Sequence, residues 1–304
     1  MKKVIYLSIM FLMISLTISA QASGGQITRK KANTTTTKTP PKKTMPTPKK
    51  TTVAAKTHSS GKPRSATAGM SQAQKDRIIQ NLINNMVYVQ GGTFMMGATA
   101  EQGSDAWDSE KPAHQVTLSS FSIGRYEVTQ EEWQTVMGSN PSEFKGSRKP
   151  VEQVSWNDCK SFISKLNSIT GKNFRLPTEA EWEFASRGGI KSQGYKYSGS
   201  NNLNSVAWYN DNSGNTTHDV GQKSPNELGI YDMSGNVWEW CQDWYDINYY
   251  SSSPQTNPTG PSSGSRRVVR GGSWNFIARS CRVSGRDGSS PGSRGGGLGF
   301  RLAQ

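Results

Sequence analysis

The C-terminal part of the chain, from Gly188 to Gln304, constrains the fold most. It is rich in Gly, Ser, Asn and Trp and contains few periodic apolar runs. Long helices and broad sheets need apolar residues at a period of 3.6 or 2, so this segment cannot build a regular layered core. Large aromatic side chains dominate burial where regular elements are short. We therefore predict a loop-rich α+β domain with little regular secondary structure.

The first residues have the pattern of an export signal. Lys2 and Lys3 precede an apolar run over residues 4–18, and small residues follow around Ala20 and Ala22. This order predicts a signal peptide over residues 1–22. The alternative is an uncleaved membrane anchor, but the apolar run is short for a bilayer span. We expect an exported protein, located in the periplasm, at the cell surface or outside the cell.

Residues 23–70 are dominated by Thr, Lys and Pro and predict a disordered linker. Residues 1–70 contain thirteen Lys and Arg and no acidic residue, which leaves 23 basic and 22 acidic residues for the remainder. The folded part is therefore near neutral, and a basic domain that binds nucleic acid is not expected. Two roles stay open for the linker: association with an anionic envelope or cell surface, and a soluble spacer.

Several short elements are predicted after the linker. Residues 71–85 carry apolar residues at helical spacing, so a leading helix either packs on the domain or ends the linker. Residues 86–97 predict two short strands around a Gly-Gly turn, and residues 115–123 predict one strand. Three helices are predicted to begin at capping boxes, in which a hydroxyl and a later carboxylate bind exposed N–H groups. These pairs are Thr129 with Glu132, Ser155 with Asp158, and Thr178 with Glu181.

Seven motifs follow one another in a fixed order from residue 86 to residue 304. They are GGTFMMG (91–97), FSIGRYEVTQEEW (121–133), PVEQVSWNDC (150–159), FRLPTEAEWEFASRGG (174–189), GIYDMSGNVWEW (229–240), RVVRGGSW (267–274) and LGFRLA (298–303). Together they resemble the formylglycine-generating enzyme family, also called the sulfatase-modifying factor family. The resemblance implies a single domain with a variant of the C-type-lectin fold. Five Trp residues of these motifs are interpreted as core side chains: Trp133, Trp156, Trp182, Trp238 and Trp240.

The resemblance also implies a structural calcium site. Its ligands would be the side chains of Asp232 and Glu239 and the carbonyl groups of Gly235 and Val237. Hard oxygen ligands around a tight glycine turn are what calcium prefers. The alternative is that Gly235 belongs to an ordinary turn and Glu239 is a paired core charge. His114 and His218 have no partner at metal-ligand spacing, so a histidine metal site is not expected.

The cysteines decide whether the family's chemistry is expected. The enzymes of the family bind copper through two close cysteines, and the matching positions here are Phe276 and Cys281. A single thiolate cannot complete a two-coordinate copper site, so copper and formylglycine generation are not expected. The alternative is an oxidoreductase with altered chemistry at Cys281. In an exported protein, Cys241 and Cys281 are the candidate disulfide pair, whereas Cys159 is expected to be a small buried apolar residue.

The last forty residues resemble the variable region of proteins that are diversified by retroelements. Arg279, Arg282, Arg286, Pro291 and Arg294 would be the fixed scaffold. The varied positions of such proteins typically derive from Asn codons, and here they would be Phe276, Ile277, Ser280, Gly285, Asp287, Gly288, Ser289, Ser290, Gly292, Ser293 and Gly295 to Gly297. The alternative is an ordinary Gly/Ser loop. The first interpretation predicts a face that binds an unidentified protein or surface ligand. Its contact residues would be Trp274, Phe276, Ile277, Ser280, Gly285, Asp287, Ser289, Ser290 and Ser293.

Overall fold

The computed structural model describes residues 69–304. The predicted signal peptide and nearly all of the predicted linker lie outside the described residues. Within residues 69–304 the chain forms short helices and strands, as expected for a loop-rich α+β domain. The helices are α1 (Gln72–Asn84), α2 (Gln130–Met137), α3 (Trp156–Thr170), α4 (Glu179–Ser186) and α5 (Leu203–Val206). The strands are β1 (Met86–Val89), β2 (Gly92–Met96), β3 (His114–Leu118), β4 (Phe121–Gly124), β5 (Trp238–Trp244), β6 (Arg267–Arg270), β7 (Arg286–Ser289) and β8 (Leu298–Gly299).

The strands form three small sheets. β1 pairs with β4 and β2 pairs with β3, both antiparallel, and the third sheet has the order β7-β6-β5-β8 with β8 parallel to β5. The prediction of one strand over residues 115–123 is wrong, because Ser119 and Ser120 interrupt the strand and separate β3 from β4. Gly91 packs against this interruption, where a β-carbon would lie 2.4 Å from the carbonyl oxygen of Leu118. The backbone N–H of Gly91 also donates to the hydroxyl of Ser120 at 3.0 Å.

The helices begin where the capping boxes predict. In α2, α3 and α4 the hydroxyl of Thr129, Ser155 or Thr178 accepts an N–H from the first turn, and the later carboxylate accepts the N–H of the cap residue. The leading helix α1 packs on the domain, burying Ile79 and Leu82 in the same core cluster as α2 and α3. No helix within residues 69–304 is long and apolar enough to cross a membrane.

Aromatic side chains fill the core, as predicted from the motifs. Trp133, Trp182, Trp238 and Trp240 are buried. Trp133 stacks on Phe162 with ring centroids 5.2 Å apart. The buried indoles also find polar partners, since Trp240 donates to the carbonyl oxygen of Val154 at 3.0 Å and Trp182 donates to a carboxylate. Burial of these large rings replaces the layered core that the sequence cannot build.

The predicted disulfide between Cys241 and Cys281 is wrong. Both cysteines are unpaired and buried, and so is Cys159. Cys241 belongs to the apolar cluster around Trp182, whereas Cys281 belongs to a separate cluster that includes Tyr197. Each thiol packs in its own apolar surroundings and no disulfide joins them. Cys159 is a small buried core residue, as expected.

Candidate functional site

Buried arginines hold the C-terminal segment in place. Each guanidinium forms an ion pair with a buried glutamate from an earlier part of the chain, and bidentate pairs of this type fix geometry strongly. Arg282 binds Glu110 at 2.5 and 2.7 Å, and Arg286 binds Glu179 at 2.6 and 2.7 Å. The other two pairs are Arg270 with Glu183 and Arg301 with Glu239. These four pairs tie an irregular segment to the rest of the domain.

The remaining residues of the predicted scaffold are also held. Arg279 donates to the carbonyl oxygen of Asp105 at 2.6 Å, and Arg294 forms a more exposed ion pair with Asp158 at 2.8 Å. The carbonyl oxygen of Pro291 accepts the N–H of Asn157 at 3.4 Å. The positions between these residues are thus presented on a fixed frame.

A groove of about 300 Å³ lies between the arginine-held positions. Its apolar floor is formed by Trp238, Val269 and Leu298. Phe276 stands at the wall, where its ring meets that of Trp238 edge-on at 5.4 Å and 40% of the residue is exposed. The other lining residues are Asn275, Asp287, Gly288, Ser289 and Gly295, Gly296 and Gly297.

Five of the predicted contact residues lie at or beside this groove. Phe276, Asp287 and Ser289 line it directly. Ile277, which follows Phe276, is 55% exposed. Trp274 supports the wall from behind, because its indole N–H donates to the carbonyl oxygen of Gly296 at 2.8 Å. Residues from three separate parts of the C-terminal segment therefore share one concave surface.

Four predicted contact residues lie elsewhere. Ser280 and Gly285 are buried and cannot contact a ligand in this conformation. A β-carbon at Gly285 would lie 2.9 Å from the carbonyl oxygen of Ser280, so this position is a site of close backbone packing. Ser290 and Ser293 reach the surface, but they do not line the groove.

Sequence reasoning missed the floor of the groove. Trp238 was interpreted as a core residue, and no pattern singled out Val269 or Leu298. These residues meet because β5 lies between β6 and β8 in the sheet. The glycines of the wall differ in the space around them, since a β-carbon at Gly295 would meet nothing within 4 Å, whereas one at Gly297 would lie 2.8 Å from the Ser273 hydroxyl. Gly295 is therefore the lining glycine that can accept a side chain without rearrangement.

The thiol of Cys281 is poorly placed for chemistry. The residue is fully buried, and burial raises the pKa of its thiol to about 12. A β-carbon on Gly272 would lie 2.7 Å from the sulfur atom, which shows how closely the backbone covers it. Because the thiolate is the reactive form, a thiol with this pKa is inert at neutral pH. The resemblance to the family places Phe276 at the first of the two copper-binding cysteine positions and Cys281 at the second.

Two of the four predicted calcium ligands, the side chains of Asp232 and Glu239, lie in a buried cluster of three carboxylates with Glu127. Glu239 forms a bidentate pair with Arg301 at 2.6 Å and also accepts the indole N–H of Trp182. Glu127 accepts the backbone N–H of Val237 at 3.0 Å. Asp232 accepts the N–H of Gly221 through Oδ2 at 2.7 Å, and its Oδ1 is buried without a partner.

Three carboxylates face one guanidinium, so the net negative charge of this cluster favours the binding of a proton or a cation. Burial raises the pKa of Asp232 to about 6, and it also raises the pKa of Glu127 well above its usual range. The free oxygen of Asp232 fits a hard cation, whereas Glu239 is already bound to Arg301. Within residues 69–304, no three Asp, Glu, His or Cys side chains converge as metal ligands. The calcium site with Asp232, Gly235, Val237 and Glu239 stays a prediction.

Comparisons with known proteins agree with the motif order. The family model of the sulfatase-modifying factor enzyme 1-like domain matches residues 71–304. The chaperone protein LppX of Paenibacillus barcinonensis is 38% identical over 251 residues, which cover 66% of this chain and 82% of that protein. The formylglycine-generating enzyme of Streptomyces coelicolor is 32% identical, with 71% of this chain and 88% of the enzyme covered.

Among solved structures, Treponema denticola variable protein 1 is similar throughout the domain. It is 37% identical with a TM-score of 0.66, and the match covers 72% of this chain and 94% of that one. The matched family model spans more than half of the chain, and the fold, the motifs and the relatives agree with it. The chain therefore belongs to the formylglycine-generating enzyme (sulfatase-modifying factor) family.

Proposed function

We propose that this protein is an exported, non-catalytic binding module that contacts a protein or other surface ligand through the groove around Phe276. The observation that carries this proposal is the convergence of Phe276, Asp287 and Ser289 on one apolar floor. An aromatic anchor beside a concave apolar surface is typical of interface hot spots. The leader over residues 1–22 supports export.

Two observations argue for binding rather than oxidation. Phe276 replaces one of the two thiolates that the family's copper site needs, and the other thiol, Cys281, is buried with a raised pKa. The similarity to a variable protein supports a surface that changes between copies. The rival proposal is an oxidoreductase that uses Cys281.

Whether the residues of the groove vary between copies is tested in the gene sequence. If these positions derive from Asn codons, adenine-directed mutation leaves the third base of each codon unchanged. We expect the codons of Phe276, Ile277, Asp287 and the glycines 295–297 to end in one shared pyrimidine, and a second copy with adenines at these positions to lie nearby. Mixed third bases, including purines, with no second copy would contradict a diversified surface.

Binding is tested with a ligand selected by the native protein from a displayed peptide library. We expect Phe276→Ala to weaken the binding of that ligand about tenfold or more, because a central aromatic anchor carries much of the binding energy. Tyr88→Ala is the matched control, since Tyr88 is 67% exposed and does not line the groove. Equal losses in the two variants would contradict the assignment of the groove.

The rival hypothesis, an oxidoreductase that uses Cys281, is tested with a sulfatase-motif cysteine peptide, copper and oxygen. We expect no formylglycine product. Turnover that disappears in Cys281→Ala would establish the oxidoreductase instead.

We also propose that calcium binds at Asp232, supported by its buried free oxygen within a group of three carboxylates and one guanidinium. The ion would be structural and would have no part in ligand chemistry.

A further inference from the structure

One arginine next to the groove lacks an acidic partner. Arg267 begins β6, and its guanidinium is stacked between two indole rings. The guanidinium carbon lies 3.4 Å from the ring centroid of Trp244 and 4.0 Å from that of Trp156. Stacking on both faces holds the plane in a fixed orientation and leaves its edge available for hydrogen bonds.

Not every N–H group of the Arg267 guanidinium has an acceptor within the described residues. One terminal nitrogen of Arg267 donates to the carbonyl oxygen of Gln242 at 2.6 Å, and Nε is buried. The second terminal nitrogen has no partner within residues 69–304 and is the donor left for a ligand. Among the described residues no carboxylate forms an ion pair with Arg267. The acidic residue that precedes Trp244 on β5, Asp243, is buried and accepts the N–H of Glu179. Arg267 thus differs from Arg270, whose guanidinium binds a glutamate.

A second cation shares the same indole. The ammonium group of Lys160 lies 5.5 Å from the ring centroid of Trp156 and donates to the side-chain oxygen of Gln242 at 3.2 Å. It also forms no ion pair with the described residues. Burial and the nearby charge of Arg267 lower the pKa of Lys160, and a bound anion would offset the repulsion between the two cations.

Arg267 lies at one end of the groove. It pairs with Ser289 across the β6–β7 ladder, and Val269, two residues later, is part of the groove floor. Residues two apart on a strand face the same side of the sheet, so Arg267 continues the floor beyond Val269. Trp244 pairs with Arg267 across β5–β6 and completes this face.

We propose that Arg267 and Lys160 form a carboxylate-binding site at the end of the groove, which accepts an Asp or Glu side chain of a polypeptide ligand. The inference rests on the proposed function, because it extends the same groove. Charge complementarity supports an acidic partner and argues against the chain's own residues 1–70, which contain thirteen basic residues and no acidic one. The second terminal nitrogen of Arg267 and the ammonium group of Lys160 would each donate to one oxygen of the carboxylate.

The experiment measures binding of an oligoglutamate peptide to the full chain at the tryptophans themselves. Tryptophan is labelled with fluorine, and the fluorine NMR signals of Trp156 and Trp244 are assigned with Trp156→Phe and Trp244→Phe. Peptide bound only to the basic linker does not shift these signals. We expect the Trp244 signal to titrate with oligoglutamate and not with oligoglutamine.

Arg267→Gln and Lys160→Gln separate the site from general surface charge. We expect Arg267→Gln to raise the dissociation constant from the Trp244 titration about tenfold or more, which is the usual effect of losing a hydrogen-bonded charge. The Lys160→Gln variant should raise it less. Arg266→Gln removes the same charge from the exposed neighbouring residue and should change it less than twofold.

Three outcomes would overturn the carboxylate site: no titration of Trp244 by oligoglutamate, equal losses in Arg266→Gln and Arg267→Gln, or stronger titration by a heparin fragment of equal charge. Unfolding midpoints of all variants establish that each is folded. A selected ligand that is insensitive to Phe276→Ala would contradict the groove, while an Arg267-dependent Trp244 titration would still support the carboxylate site. The two failures are therefore distinguishable.

Discussion

At the scale of single residues, buried ion pairs decide how the C-terminal segment is held. Arg282 and Glu110 are both fully buried, whereas Arg294 and Asp158 form the same type of pair near the surface. Removing one member of a buried pair leaves an uncompensated charge in a low dielectric, and that cost is much larger than the loss of a surface pair.

We expect Arg282→Met to lower the free energy of unfolding by about 3–5 kcal/mol, because it leaves the carboxylate of Glu110 without its guanidinium. The matched variant Arg294→Met should lower it much less, because solvent screens the exposed pair. Urea denaturation of both variants measures the difference. Similar losses would show that the buried pair does not anchor the segment.

Glu152 should make stability depend on pH. The residue is buried with Oε2 unpartnered, and burial raises the pKa of its carboxyl to about 7 from an ordinary value of 4.5. The folded protein then binds this proton more tightly than the unfolded chain does. The resulting stability is fully present below pH 4.5 and is lost as the pH rises through about 7.

We expect the wild type to lose roughly 1–2 kcal/mol relative to Glu152→Gln between pH 4.5 and pH 7. Gln keeps an oxygen that accepts the N–H of Phe144, so the variant changes the charge and little else. Asp76→Asn, on the exposed side of α1, is the control and should keep the wild-type slope. Parallel pH profiles of the wild type and Glu152→Gln would contradict the raised pKa.

At the scale of elements, local hydrogen bonds set the helix starts, and left-handed glycines end two of the helices, α2 and α3. α3 begins at the capping box of Ser155 and ends at Gly171, whose φ of 66° is left-handed. Glycine adopts this conformation without steric cost, which makes it the common residue after a helix. These signals are close together in the sequence, and for this reason the helix starts were predictable.

We expect Ser155→Ala to destabilise the protein by about 1 kcal/mol, because the cap hydroxyl accepts the N–H of Asp158 at 3.1 Å. Ser161→Ala, on the exposed side of the same helix, should change stability by less than about 0.5 kcal/mol. Thermal unfolding compares the two. A larger loss in Ser161→Ala would contradict the capping role.

At the scale of the whole molecule, three carboxylates face a single guanidinium, that of Arg301. Asp232 and Glu239 come from one motif, and Glu127 comes from a segment about a hundred residues earlier. Arg301 neutralises one of these charges. The others need a proton or a cation to remain buried.

We expect excess chelator to lower the thermal midpoint of the purified protein, because an ion that binds only the folded state stabilises it by mass action. Asp232→Asn should remove this sensitivity. An unchanged midpoint, with calcium shown to be absent from the protein by elemental analysis, would contradict calcium binding at Asp232.

Much of the fold and part of the site follow from the sequence alone. The motif order predicted the family, and the capping boxes of Thr129, Ser155 and Thr178 predicted three helix starts. The alternation of fixed and varied positions in the last forty residues predicted that Phe276, Asp287 and Ser289 lie at the surface. Each of these signals depends on residues that are neighbours in the chain or on motifs that stand in a fixed order.

Only the tertiary structure decided the partners and the floor of the groove. Arg282 and Glu110 are 172 residues apart, and no local pattern pairs them. Trp238, Val269 and Leu298 form one floor because three strands from distant segments are adjacent in one sheet. The structure also buried Ser280 and Gly285, which the sequence rhythm had placed at the surface. Such contacts depend on how distant segments pack, and packing is a property of the whole chain and not of any short pattern within it.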